Sequence, residues 1–585
     1  MASNPPTEVL AKPEDADMLA KMGYAQVYSS QLEMELKRNF SKFEVLGIAF
    51  AIMGLLPSIA STLTFSIPAG PAGMVWGWFI TSGFIFVVGL AMSDLGSAMP
   101  TAGGLYWWTH HFSAPRYKNP LSFLVGYSNT LGLVGGLCSI DYGFALMLVS
   151  VIVLVTDGAF VPTNGIIYCV FLGCVISHGF VVMFASKVNI MGKMQTVFTI
   201  ANLVLIAATF VVLPVGRKGE RNSAKYVFTE TANLTGWPSG WAFFLAWLSP
   251  IWTIGGFDSC VHISEEAKNA SLAVPWGILG SIGLCWSLGF LCCIVIASCM
   301  STDLESILNT PFGQPMAQIY YDAVGRKGAI IMMTFLFLTQ WLMGISILLA
   351  SSRQAWAFSR DGALPFSKFF SKISKRFGHT PIRCVWGCAG LACVLGLLCL
   401  IASAAASALF SLCAAGNNFA WFMPIFARLV WGRDKFVPGP FYTGKFSIPI
   451  AIVACIFLVF STLLAMMPVT GPDVTPETMN YTVVVNCAVW GGALAYYFIN
   501  ARKWFTGPKM TINAEQLTEE QERKMMEDRS LDVKRDSVSG GKKDLGDIKA
   551  SKRPETGDEL EGKRTLFIEY KGYLFEDEVY NLIRL

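Results

Sequence analysis

The amino-acid sequence predicts an all-α membrane protein of twelve transmembrane helices, arranged as a 5+5 inverted repeat with helices 1 and 6 broken and helices 11 and 12 appended. Three observations predict it. Only 14% of the residues are charged and 53% are hydrophobic, against about 25% charged in soluble globular proteins. From residue 43 to 501, apolar runs of about 20 residues alternate with short polar loops, the length that crosses a ~30 Å hydrocarbon core at 1.5 Å per residue. Finally, two of these runs are broken by proline and glycine, and they are the first and the sixth.

Taken in order, residues 1–42 are polar and charged, with no cleavable leader pattern, and read as a cytoplasmic N-terminal segment. Residues 43–505 form the membrane domain. Its spans lie near 43–65, 72–95, 121–154, 164–185, 191–214, 241–262, 275–299, 328–352, 383–402, 405–427, 447–467 and 481–501. They are too long and too evenly apolar for barrel strands, which alternate over about ten residues.

Span one contains Gly54-Leu55-Leu56-Pro57-Ser58, and proline beside glycine opens a helix. Span six contains Pro250 and the pair Gly255–Gly256, a second break five spans later. Interrupted helices at matching places in two halves point to a binding site at the membrane midplane, since freed backbone groups there are tolerated only around a cavity. The amides opening the second half of span one suit a carboxylate. Gly54, Leu55, Leu56 and Ser58 are the candidate contacts on that side.

Acids inside a bilayer cost at least ~2.5–3.5 kcal/mol at a helix centre. Asp258 follows the span-six break and Asp141 lies in span three; each is a candidate to hold an ammonium or pass a proton. Asp94, at the cytoplasmic end of span two, reads as a boundary or gating residue. His178 in span four and His262 at the end of span six read as buried, satisfied histidines rather than ligands. The fifteen cysteines fall in or beside apolar spans without metal-ligand spacing and read as small core hydrophobes.

Loop 353–383 carries Arg353, Arg360, Lys368, Lys372, Lys375, Arg376 and Arg383, and loop 428–446 adds Arg428, Arg433, Lys435 and Lys445. The positive-inside bias therefore predicts both termini to be cytoplasmic. Residues 506–585 are a charged cytoplasmic tail with a candidate helix at Ala514–Arg529 and an aromatic patch at Leu566–Leu585. There is no phosphate loop, metal cluster or nucleophile elbow. The sequence thus predicts no enzyme, no cofactor, no metal and no nucleic-acid partner.

Seven strings in order then carry a resemblance: Ile52–Ser61 (IMGLLPSIAS), Pro100–Trp108 (PTAGGLYWW), Ser139–Gly143 (SIDYG), Trp252–Glu266 (WTIGGFDSCVHISEE), Arg353–Pro365 (RQAWAFSRDGALP), Ala415–Trp421 (AGNNFAW) and Pro438–Tyr442 (PGPFY). Over about 36–508 the chain resembles the amino acid–polyamine–organocation superfamily and, within it, fungal GABA permeases of the amino acid/choline transporter family. The resemblance implies a secondary active transporter, a proton-coupled symporter importing GABA and related amino acids through the plasma membrane or the vacuolar membrane. Polyamine (putrescine) or choline transport and nutrient sensing are the alternatives. It makes Trp252 the gate over the substrate and Asp258, six residues on, a ligand-facing acid. Asp141 then matches a span-three asparagine, with Gly255 and Gly256 lining the site and Glu265 and Glu266 acting as gate acids. One departure is Asn202, a neutral amide where many relatives carry a span-five lysine, and it bears on the coupling ion.

Overall fold

The computed structural model describes residues 40–508 except 189, 402, 476 and 477. The N-terminal segment 1–42 and the tail 506–585, with its candidate helix and aromatic patch, lie almost wholly outside the described residues. Within them every extended element is a helix, and the strand-like pairings are two isolated bridges, Phe40 with Ala267 and Ser374 with Thr380. A bilayer offers no partner to backbone groups, so helices that satisfy their own are the natural solution.

Ten of the described helices are long and apolar enough to cross a membrane. One of the ten, Lys42–Ala98, is interrupted at Gly54 and again at the tight turn Ile67–Ala69, so it holds both of the first two predicted spans. Predicted span six is absent from the ten because it is cut into Ser239–Ala246, Leu248–Thr253 and Ser259–His262. Its break is deeper than span one's, because two glycines in succession and a proline upstream leave no continuous ladder.

Helix boundaries elsewhere differ modestly from the sequence reading. Span eight runs Pro315–Arg360 with a non-helical kink at Gly325, φ 69°. The loops also hold short helices that the apolar periodicity did not reveal, notably Gly104–Phe112 between spans two and three.

The outward faces are apolar. On span five, Val197, Ile200, Val204 and Val211 recur at helical spacing and are each more than half exposed, the face that lipid would cover. Twelve of the fifteen cysteines are buried and all are free; Cys169 and Cys487 stand on exposed faces of spans four and twelve. Spans three and ten approach closely through small residues. A methyl on Gly416 would sit 3.0 Å from the Gly132 Cα, and one on Gly132 would meet the Asn417 side chain at 2.1 Å, the small-residue packing that membrane helices use. Spans one, three, six, eight and ten thereby surround one central space.

Candidate functional site

The first half of span one opens with a capping box, in which the Ser41 amide donates to Glu44 Oε2 at 2.8 Å and the Glu44 amide to Ser41 Oγ at 3.4 Å. It ends at Gly54, which is left-handed at φ 40°. Only glycine fits here: a Cβ would lie 2.0 Å from the Met343 sulfur, and the conformation itself costs an L-residue roughly 1–2 kcal/mol. The Ser58 hydroxyl donates to the Met53 carbonyl, covering a group that the break released. The second half, Leu55–Ser66, has no side-chain cap. Its opening amides, Leu55 and Leu56, point along the axis from the helix N-terminus, while their side chains are fully buried in the core. Any contact from these two leucines is therefore a backbone contact.

Span six approaches from the other half. Thr62 and Ser249 share a hydrogen bond of 2.7 Å that joins the second half of span one to the first half of span six. The helix Leu248–Thr253 ends at Ile254, and Gly256 turns at φ 75°, where a Cβ would meet Ile52 at 2.7 Å. Trp252 is fixed on both sides, donating from Nε1 to Ser139 Oγ at 2.9 Å and packing 4.8 Å from the Phe410 ring.

Between the two breaks lies a narrow pocket with a cavity volume of about 20 Å³. Ile52 and Ser58 of span one face Trp252, Thr253, Gly255 and Gly256 of span six. Gly136 and Ile140 of span three, Ile347 of span eight, and Cys413 and Asn417 of span ten close it. Two polar atoms on this wall, the Thr253 hydroxyl and the Asn417 amide oxygen, have no hydrogen-bond partner. Burying such atoms unpaired is costly, so both are poised for a polar guest. The sequence reading missed both residues.

The two acids lie elsewhere than expected. Asp258 was expected to reach the cavity, but its Oδ2 accepts from Asn129 Nδ2 at 2.9 Å and faces His262 Nε2 at 3.4 Å, and it is not on the pocket wall. His262 is anchored in turn, its Nδ1 3.1 Å from the Ala102 carbonyl oxygen. Asp141 lies behind the wall, 3.2 Å from His178 Nδ1. The reason is helical geometry. Gly136 and Ile140 share a face at i and i+4, which places Asp141 about 100° round the helix. Asn129, seven residues before Gly136, lies on the pocket face two turns away, and that spacing was the available signal for it. Gly54, Leu55 and Leu56 sit at the break just behind Ser58. Asn202 is buried on span five, its Oδ1 without a partner.

The amino acid permease family model matches residues 40–490. Of curated relatives, the GABA-specific permease of Saccharomyces cerevisiae is 44% identical over 86% of this chain and 87% of its own. Amino-acid permease 2 of Neurospora crassa is 31% identical over 87% of this chain and 91% of its own. The amino-acid permease BAT1 of Arabidopsis thaliana is 31% identical over 84% and 96%. The chain belongs to the amino acid permease family. It is thus a multi-pass membrane transporter for amino acids rather than an enzyme.

In the permease, ion pairs surround the acids that follow span six. Arg353 Nε lies 3.0 Å from Glu266 Oε1, and Arg360 Nη1 lies 3.3 Å from Glu265 Oε2. Glu265 also accepts from the Ala102 amide at 3.1 Å, and Tyr106 donates to Asp361 at 2.6 Å. Phe40, just ahead of span one, is tied in by a backbone bond to Glu266. Arg353 and Glu266 are both buried. Asp94 sits beside the same end of span two, bonded to Thr443 and Ser447 and 3.6 Å from Arg428. The 2–3 loop packs here too. Burial lowers the His110 pKa to about 4, despite its hydrogen bond to Asn119.

Proposed function

We propose that the permease is a secondary active transporter that imports GABA and related amino acids through the plasma membrane, driven by protons. Its twelve crossings form two inverted five-helix halves with two helices appended. Both termini, including segments 1–42 and 506–585, are cytoplasmic. The observation that carries the reading is the pocket between the two broken helices, lined by Ser58, just beyond the break of span one, and by the unpaired oxygens of Thr253 and Asn417. The relative named as a GABA-specific permease supports the choice of substrate.

GABA has a carboxylate and an ammonium separated by three methylenes. The carboxylate is taken at the Leu55 and Leu56 amides beside the Ser58 hydroxyl. The methylenes run along Ile140 and Trp252, which closes over them. The ammonium reaches the Thr253 hydroxyl and the Asn417 oxygen, at the carbonyl end of Leu248–Thr253, where the helix dipole is negative. Asp258 supports that end through its charge, with Asn129 holding it. Glu265 and Glu266 form the inner gate, and Trp252 the gate over the substrate.

The test is uptake of labelled GABA by cells expressing the chain, with competitors. GABA should accumulate, ω-amino acids should compete, and sodium should have no effect. Putrescine, with two ammonium groups, leaves the amides of span one unanswered and should compete poorly. Sodium-dependent uptake, or putrescine taken up in preference to GABA, overturns the reading.

A further inference from the structure

Asp141 and His178 are both fully buried, and His178 is the ion-pair partner of Asp141 among the described residues, at 3.2 Å. Neither carboxylate oxygen of Asp141 has an aligned hydrogen bond, and neither does His178 Nδ1. The other ring nitrogen faces a third group, with His178 Nε2 3.7 Å from Cys174 Sγ. The three donor atoms lie within 4.8 Å of one another. The two ring nitrogens nonetheless face different groups, Nδ1 the Asp141 carboxylate and Nε2 the Cys174 thiol.

We infer that the Asp141–His178 pair is the binding site of the proton that drives transport. The inference rests on the proposed proton-coupled import. A lone carboxylate at this depth is costly, and charge balance decides its state. With one proton shared between Asp141 Oδ2 and His178 Nδ1 the pair is neutral overall; with none, the ring is neutral and the carboxylate leaves a net charge of about −1. The other titratable groups that face the pair are cysteines: Cys138 on the same helix, Cys174 on span four and Cys393 on span nine. Cys413 of span ten stands against Cys138. Span eight offers Gly344 and the Trp341 ring, 5.5 Å from His178. None of these supplies a positive charge, so the proton does. Asp258, which stands 3.4 Å from His262, differs in that it accepts an aligned hydrogen bond, from the Asn129 amide at 2.9 Å, whereas Asp141 accepts none.

The pair is also well placed to act. Gly344 is required for it, since a Cβ there would come within 2.1 Å of the His178 ring and 2.6 Å of Asp141. Ile140, next to Asp141, lines the pocket, and its carbonyl accepts from Gln340 at 2.9 Å. Ser139 holds the gating Trp252. Charge appearing at Asp141 therefore acts on the stretch of span three that sets the pocket wall and the gate.

The experiment uses full-length protein reconstituted in vesicles, with GABA flux and internal pH followed together. Wild type should take up protons with GABA, more slowly as external pH rises. In Asp141→Asn and His178→Asn the remaining GABA movement should proceed without proton uptake and without dependence on external pH. A variant that keeps the wild-type ratio of protons to GABA and its pH profile overturns the site. Should both variants lose GABA movement altogether, Cys174→Ala decides. It keeps both proton-bearing groups but removes the thiol at Nε2, so the midpoint of the pH profile should shift; an unshifted midpoint overturns the proposal. Wild-type GABA flux without proton uptake would instead overturn the coupled-import reading on which the site depends.

Discussion

At the scale of single residues, the pocket depends on two glycines and on a network that holds an acid off the wall. Gly54→Ala places a methyl on the Met343 sulfur in a left-handed backbone. Overpacking of ~1–3 kcal/mol adds to the strain, so the purified protein should melt earlier and transport poorly. Adding Met343→Ala should recover part of the stability, whereas a double variant no better than the single would show that the clash is not the cause. Asp258→Asn turns an amide toward the Asn129 donor and the His262 ring and removes the negative charge behind the ammonium end. Breaking one side of a buried charged network costs ~3–5 kcal/mol, so the purified protein should melt earlier, and with that charge gone GABA uptake normalised to surface level should fall at least about tenfold; normal uptake would remove Asp258 from the account. His110 carries a pH signature of its own. Burial lowers its pKa to about 4, so the folded protein binds fewer protons there than the unfolded chain, whose histidine titrates near 6.5. Its contribution to stability is therefore intact above about pH 6.5 and declines as pH falls toward about 4, and His110→Asn should flatten that part of the melting curve against pH. Sequence alone marked the glycines and the acids, because both residue types are anomalous in apolar spans. It did not reveal that Asp141 and Asp258 face histidines and Asn129 rather than the cavity. That depends on helix rotation, and these spans are apolar on every side, so they carry little amphipathic signal to fix it.

At the scale of elements, the break positions were legible and the ion pairs beyond span six were legible only in part. Glu265 and Glu266 were marked as gate acids, but their partners Arg353 and Arg360 had been read as topology charges in a basic loop. A pairing between chain segments nearly ninety residues apart leaves no local trace. Glu266→Ala strands the buried Arg353 guanidinium. It should loosen the proposed inner gate, raising the rate at which a thiol reagent supplied to the gated face modifies Cys413 in the pocket. The exchange Arg353→Glu with Glu266→Arg should restore the gate in part. An unchanged rate in Glu266→Ala would mean that the pair does not close the pathway. The loops also offer a test of the proposed orientation. Asn233-Leu234-Thr235 lies in the loop proposed to be external and Asn269-Ala270-Ser271 in one proposed to be internal, so a glycosylated protein should carry its glycan at Asn233. Modification at Asn269 would invert the topology.

At the scale of the whole molecule, the membrane class and the family followed from the sequence because the run lengths, the charge deficit and the ordered motifs all agree. The helical count is less direct. Two predicted spans are disguised, the first joined to the second across Ile67–Ala69 within Lys42–Ala98, and the sixth cut into short pieces around Gly255–Gly256. The break in span six thus also spoils a simple count of apolar helices. The central claim is that an amino acid occupies the pocket between those breaks. Cys413 lines it, is free, and is only slightly exposed, so its modification by a small thiol reagent, followed on its own peptide by mass spectrometry, reports occupancy directly. GABA at concentrations that saturate uptake should slow modification of Cys413 several-fold while leaving exposed Cys169 and Cys487 unaffected. Equal rates at Cys413 with and without GABA, in protein that transports it, would contradict the account.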